Sequence, residues 1–463
     1  MKNPKSKLWG GRFTRATHET IERFTHSLAV DQRLARYDLL GSIAHAKMLG
    51  KTGIIPQGDS NALVKALQIL LKQLGRGHFK PDPSAEDIHT AIQFALEKKL
   101  GSRATVLHTA RSRNDQVVTA FRLYCVEQGV NLNGAIRSVQ REILRQAERT
   151  QDFILPGYTH LRHAQPVLLS HVLLSYMEML ERDRGRLWLT AGRAVYELPL
   201  GSGALVGTGL PINQSRVAKE LGFLNPKENS IDGVSDRDFV VEFLSALSLL
   251  SVHLSRIAEE LIIWSTAEFG FLRFDEQVLT GSSMMPQKQN PDFLELTRAG
   301  SARIIGNLSA MLTLLKGLPS GYQRDLQLDK EILFEAVDRM EGMLAVLAVG
   351  FHGIRWSRQA MAAQLKDESL YATDLAEYLV TKGVPFAQAH RSVGQLLSHA
   401  DRTKTNLKTM PLAVYRKFST AFGQDVVRLL DPAVSVQRKR SVGSTNPAQV
   451  RRQIRRWKSL LKG

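Results

Sequence analysis

The chain has 463 residues, 43% hydrophobic and 23% charged, enough to bury a large interior shared by two or three domains. A single cysteine, Cys125, excludes an internal disulfide and fits a reducing cytoplasm. The start, MKNPKSKLWGGRF, has no apolar run, and no stretch of about 18 uncharged apolar residues occurs, so neither export nor membrane spanning is indicated. The net charge is +18, and no acidic residue occurs from Pro432 to Gly463, where Arg438, Lys439, Arg440, Arg451, Arg452, Arg455, Arg456, Lys458 and Lys462 cluster. Such a run reads as a solvated basic tail or an interface rather than a nucleic-acid site.

In chain order the pattern is helical nearly throughout. A first long helix is expected beyond residue 112, a second from Pro166 to about Glu197, a third over 239–264, a fourth from Pro291 to Lys316 and a fifth from about Asp329 past Val349. In the third, Phe243, Leu247, Leu250, Leu254, Ile257, Leu261 and Trp264 alternate steps of four and three, the seam of a bundle helix. Pro166 and Pro291 are read as first helical residues, where a missing N–H is harmless. Strand-like alternation is scarce, which gives an all-α class. Breaks near 112 and 364 divide the chain into an N-terminal helical domain (1–112), a central helical bundle (113–363) and a C-terminal helical domain (364–463). The connections at 198–211, 274–291 and 316–327 are rich in glycine or proline and sit at helix ends, where sites are usually built.

Several chemistries can be set aside. Gly50-Lys51-Thr52 imitates the end of a phosphate loop, but the position five before Gly50 is His45. GSGALVG at 201–207 spaces its third glycine wrongly for a dinucleotide fingerprint. Without Cys-x-x-Cys, His-Glu-x-x-His or a nucleophile elbow, neither a metal nor a hydrolase of that type is expected.

The stretch GSSMMPQKQNP at 281–291 is different. A glycine-serine turn ahead of a helix exposes N–H groups, and Lys288 and Asn290 add a charge and a donor: a place for a carboxylate or a developing oxyanion. Serine in that field loses its proton more readily than in water. HTARSRNDQV at 108–117 puts Ser112, Arg113 and Asn114 at a helix head. PGYTHLRHAQP at 156–166 puts Thr159 and His160 in a loop, where an imidazole is equipped to act as acid or base. Each stretch alone reads more readily as an ordinary capped loop; three of one polar character make coincidence a poor account.

These motifs resemble the argininosuccinate lyases of the fumarase and aspartase superfamily nearly end to end. GSSMMPQKQNP matches the superfamily signature. LWGGRF at 8–13, EDIH at 86–89, HTARSRNDQV, GYTHLRHAQP, SDRDFVVEFLSA at 235–246 and KGLPSGYQRDLQLDKE at 316–331 are more selective, and SVQRKRSVGSTNP places part of the basic tail within the shared fold. The resemblance implies an all-helical, three-domain subunit without metal or cofactor. It implies a cytoplasmic homotetramer built on a multi-helix core, with each active site drawing loops from three subunits, and it assigns the surplus apolar seam of 239–264 to that core. No membrane contact is expected.

The implied reaction is the reversible elimination of argininosuccinate to arginine and fumarate, the last step of arginine biosynthesis. It removes a proton beside a carboxylate and passes through an aci-carboxylate. By analogy Ser282 is the base, although the sequence does not itself separate it from Ser283. Lys288 stabilises the extra charge with Asn290, and His160, oriented by Glu295, serves the departing nitrogen, its role as acid, base or positioning group left open. Ser27, Arg113, Asn114, Thr159, Ser283, Asn290, Tyr322, Gln327 and Lys330 are the implied binding residues, the last three at the arginine end; Asp87 either fixes the site indirectly or caps a helix. Arg162-His163, Ala110, Gln93, Gln323 and Leu328 depart from the usual pattern. Those at 162–163 and 323–328 motivate an alternative, a lyase of the same chemistry acting on another N-substituted aspartate such as an amino-polycarboxylate. A non-catalytic structural protein on the same scaffold is disfavoured by intact Ser282, Lys288 and His160.

Overall fold

The computed structural model describes residues 15–462, so LWGGRF lies outside the described residues. Its main elements are helices α1 (Ala35–Lys51), α2 (Gln57–Gly75), α3 (Ile88–Leu100) and α4 (Arg113–Arg149); a hairpin of strands β1 (Ile154–Thr159) and β2 (Arg162–Leu168); then α5 (Leu169–Ala194), α6 (Asp238–Ser265), α7 (Asp292–Leu315), α8 (Asp329–His352), α9 (Ala372–Thr381), α10 (Phe386–Thr403) and α11 (Pro447–Lys462). The all-α class holds: besides the hairpin, the described residues form only two ladders, each of two-residue strands.

The chain forms two compact units: one from Met1–Asn133, Arg184–Leu249 and Ala302–Met340, the other from Gly134–Asp183, Leu250–Ser301 and Glu341–Gly463. In the first, Phe121 meets Phe239 edge-on at 5.7 Å and Tyr124 meets Phe334 at 4.7 Å, pairs worth about 0.5–1.5 kcal/mol each beyond their burial. A Cβ on Gly129 of α4 would lie 2.9 Å from that of Ala191 on α5, so glycine is what lets the two helices approach there. In the second unit, Trp264 packs edge-on against Phe271 and Trp356. The C-terminal part closes over Leu375, Leu379, Leu396, Tyr415 and Phe422. Helix α11 buries Val450, Ile454, Trp457 and Leu461, a helical stripe, and turns its basic residues outward. Part of that charge is matched within the unit: Arg456 pairs with Glu178, Lys458 with Glu148 and Lys439 with Asp374.

Three expectations change. Pro166 does not open a helix: it lies in β2 opposite Pro156, and α5 begins at Leu169. A proline is tolerated in a two-stranded hairpin because one edge of each strand needs no partner. The helix expected at Pro291 starts one residue later, at Asp292. The seam of α6 is not surplus, since Phe243, Leu247, Leu250, Leu254, Ile257, Leu261 and Trp264 are all buried within this chain. The uncovered apolar surface lies elsewhere on the long helices, at Leu249 and Val252 of α6, Leu296, Ile305 and Leu312 of α7, and Val346 and Val349 of α8.

Candidate active site

In the first unit, the tetrapeptide Glu86-Asp87-Ile88-His89 ties the candidate residues together, each member bonding a different segment. Glu86 accepts the Ser27 N–H on its carbonyl at 3.0 Å and the Arg324 guanidinium on its side chain at 3.1 Å. Asp87 caps α3 through the Thr90 N–H at 2.7 Å and pairs with Arg113 at 3.1 Å. Ile88 donates its N–H to Asp31 at 3.0 Å, and Asp31 accepts the Ser27 hydroxyl at 2.6 Å. His89 lies 3.1 Å from Asp38, which accepts the Gln116 amide; Gln116 in turn accepts from Arg113 at 3.2 Å.

Burial and neighbouring charge set the ionisation of these carboxyls. Burial pushes Asp31 up. Burial acts the same way on Asp87 and Asp38, but Arg113 beside the first and His89 beside the second hold both below the usual carboxylate range. Arg113 thus sits between Asp87, Thr90 and Gln116 with its orientation fixed, which suits recognition of a planar carboxylate.

The other residues expected in this unit join the same neighbourhood. Gln327 donates to the Thr25 carbonyl at 3.4 Å and Arg324 to the same oxygen at 2.7 Å, close to Ser27. Lys330 is buried, 2.6 Å from Asp329, which also pairs with the fully buried Arg237. Tyr322 is half-buried and its hydroxyl is pushed up by burial; the charges of Arg324, Asp329, Arg237 and Asp87 act on it. Asn114 donates to the Ala204 carbonyl at 3.1 Å. Ser27, Arg113, Asn114, Tyr322, Gln327 and Lys330 therefore share one polar neighbourhood. Glu86, Asp31, Asp38 and Arg324 belong to it as well. Sequence reasoning did not single them out, although EDIH and GYQRDLQ were both in view.

The second unit holds the remaining candidates on two projections. Thr159 and Arg162 close the hairpin, and the two residues between them, His160 and Leu161, have φ of +54° and +57°. A two-residue turn with both φ positive normally takes Asn-Gly. Histidine and leucine there carry strain, and such strain persists where surroundings or function demand the conformation. His160 is exposed, with no hydrogen-bond partner among the described residues. His163, one of the unusual residues, points away from any such role: its Nδ1 lies 2.7 Å from Asp367 and its ring packs on Tyr158.

The other projection is 281–289, pinned at its base by two backbone bonds between Thr280 and Asn290, of 2.8 and 3.0 Å, and by the Thr280 hydroxyl on Asp292 at 2.6 Å. Inside the loop the Met284 and Met285 N–H groups both donate to Ser282 Oγ, at 3.2 and 3.0 Å. Two donors on one hydroxyl oxygen favour its ionised form. Ser283 and Lys288 are exposed and Asn290 is half-buried. Glu295, on the first turn of α7, is also exposed, and no hydrogen bond joins it to His160 among the described residues. A groove of about 1170 Å³ in this unit is lined by Tyr158 and Leu161 of the hairpin but by none of the 281–289 loop, so it is not where these groups meet.

A family model described as lyase matches residues 11–306, and one described as argininosuccinate lyase C-terminal matches residues 369–437. The chain is 45% identical over 449 residues, 97% of both chains, to an argininosuccinate lyase from Symbiobacterium thermophilum. It is 46% identical to one from Syntrophus aciditrophicus over 97% of this chain and 95% of the relative. Among solved structures, an EDDS lyase in complex with formate superposes with a TM-score of 0.83 at 25% identity, over 97% of this chain and 91% of the other. A class II fumarase from Schistosoma mansoni, at 16% identity and a TM-score of 0.75 over 90% and 92%, shares the fold. The protein is a lyase, and its chain belongs to the argininosuccinate lyase family.

Proposed function

We propose that the protein eliminates fumarate from argininosuccinate, releasing arginine, as the last step of arginine biosynthesis in the cytoplasm. The observation that carries this reading is a bonded cluster in which Ser27 and Arg113 hold the Glu86–His89 segment, Gln327 and Arg324 share the nearby Thr25 carbonyl, and the buried Lys330 pairs with Asp329, a set of oriented donors suited to a ligand with several carboxylates.

In this reading Ser282 removes the proton beside the carboxylate. The two loop amides on its oxygen support Ser282, rather than Ser283, as the base. Ser283 and Asn290 hold the carboxylate, and Lys288 neutralises the charge that builds on it as the aci-carboxylate forms. Thr159 and His160 arrive on the hairpin tip, His160 serving the departing nitrogen with Glu295 to orient it. The exposure of His160, Lys288 and Glu295 supports completion of the site by other copies of the chain. In a homotetramer of three-domain subunits (1–112, 113–363, 364–463), three chains then contribute to each site. The uncovered apolar residues of α6, α7 and α8 are a suitable contact for that assembly.

The test is fumarate release, followed by ultraviolet absorbance, from argininosuccinate, aspartate, malate, adenylosuccinate and an ethylenediamine-linked disuccinate in parallel. Turnover of argininosuccinate alone is expected. The exposed Leu328, next to Gln327 and near Lys330, keeps the other amine in the comparison. Turnover of the linked disuccinate without argininosuccinate would retain the serine chemistry and overturn the amine assignment.

A further inference from the structure

The glycine-rich loop 198–211 is one of the connections at helix ends and matches no dinucleotide fingerprint. In the structure its amides wrap a carboxylate of the protein itself. Asp115, on the first turn of α4, is fully buried. Its Oδ2 accepts the Gly201 and Gly203 N–H groups, both at 2.9 Å, and its Oδ1 accepts the Ser112 N–H at 3.0 Å. The loop backbone needs its glycines for this wrap. Gly201 and Gly203 have φ of +110° and +62°, and a Cβ on Gly203 would stand 2.6 Å from the Gly207 carbonyl oxygen. Two further contacts carry the loop to the site: Asn114 donates to the Ala204 carbonyl, and Leu205 lies 2.9 Å from where a Cβ on Gly321 would be, next to Tyr322. One carboxylate thus joins the head of the helix bearing Arg113 and Asn114 to a loop that touches both Asn114 and the Tyr322 segment.

We propose that Asp115 is a positioning residue which, by binding the amides of Gly201 and Gly203, holds the 200–207 loop as a wall of the substrate site and fixes Asn114 against it. The proposal rests on the reading of this cluster as the argininosuccinate site. A hydrogen-bonded carboxylate is a demanding choice for this position. Burial pushes Asp115 up to about 6 in spite of three N–H donors, and a neutral side chain would be cheaper to bury if packing were all that mattered.

The experiment uses the full-length protein in two variants, Asp115→Asn and Gly203→Ala. Asparagine keeps the volume but turns an NH2 group toward N–H donors; alanine disturbs the loop and leaves the carboxylate in place. Amide hydrogen exchange over 198–207 is expected to rise about ten-fold or more in both, while the interior of α4 keeps its protection. KM for argininosuccinate is expected to rise about 10- to 100-fold, the range for losing hydrogen bonds to a charged group, with a smaller fall in kcat. In the double variant the losses are expected to be less than additive, because both act on one loop. Faster exchange with unchanged KM and kcat in either variant would show that the loop is no wall of the site and would overturn the proposal. Unchanged exchange in Asp115→Asn would overturn the clamp itself. Failure of the unmodified protein to use argininosuccinate would instead sink the parent reading, and the exchange result would still judge the clamp.

Discussion

The binding cluster of the first unit and the two projections of the second are built on opposite principles. In the cluster nearly every polar group has a partner inside the same unit: Asp87 holds Arg113, Asp31 holds Ser27, and Asp329 holds Lys330. On the projections, Ser282 is held by its own loop, while His160, Lys288 and Glu295 stand exposed. The difference teaches that the residues proposed to hold substrate are fixed by partners within one unit, whereas those proposed to move protons stand exposed to solvent. Preorganised donors cost nothing to arrange at the moment of reaction, which is where electrostatic catalysis gains most.

The sharpest way to break this contrast is Ser282→Ala. Loss of the base is expected to lower kcat about 100- to 10,000-fold with argininosuccinate binding retained. Equilibrium binding of the substrate to the inactive variant checks the second half, and loss of binding together with kcat would mean the two regions are not separable. Next in size is Asp329→Asn. It leaves Arg237 and Lys330 as two buried cations with no shared carboxylate and is expected to destabilise the protein by about 3–5 kcal/mol, read from the urea midpoint. A loss below about 1 kcal/mol, within the range of an exposed pair, would show that the cluster is not built on buried charge.

The last test concerns acid. Burial, helped by the neighbouring Arg111, holds His45 down to about 3, and burial does the same to His108. In the unfolded chain these imidazoles take up protons near their ordinary pKa of about 6.5. Between the two values the unfolded state binds more protons, so stability is fully present above about 6.5 and is lost as pH falls toward about 3. Thermal midpoints measured from pH 7 to 4 should decline. His45→Gln, which keeps a donor toward the Thr109 carbonyl but cannot titrate, should flatten the decline; an identical slope in the variant would remove His45 from the account.

The long helices were legible because their burial obeys a local period. All seven seam positions of α6 read from the sequence are inside, and α4 begins where the polar Ser112-Arg113-Asn114 head predicts. The hairpin was not legible, for a physical reason. Its turn uses His160-Leu161 in a conformation that Asn-Gly would have announced, and Pro156, Gly157 and Pro166 punctuate the strands on either side. Ala110, noticed in the sequence only as a departure from the usual pattern, holds a φ of +60° just ahead of α4, where a glycine would be unstrained. In the site, motif residues could be named, and Asp87 with them, but the other carboxylates that hold them could not. Asp31, Asp115 and Asp329 are short polar letters in sequence, and what gives each its role is a partner from a distant segment or a burial no local pattern reveals.

Helix α6 has a consequence for the making of the protein as well as for its fold. By length and composition alone it could cross a bilayer, yet 56% of its most apolar window is buried within the finished chain. Its last seam residue, Trp264, packs against Trp356, which leaves the ribosome about 90 residues later, on the order of 5–20 seconds at ordinary elongation rates. During that interval the helix is a nascent segment that targeting factors and chaperones can both read as apolar. Phe239, at the start of α6, already has Phe121 of the earlier α4 to pack on, so the end around Trp264 is the part that waits.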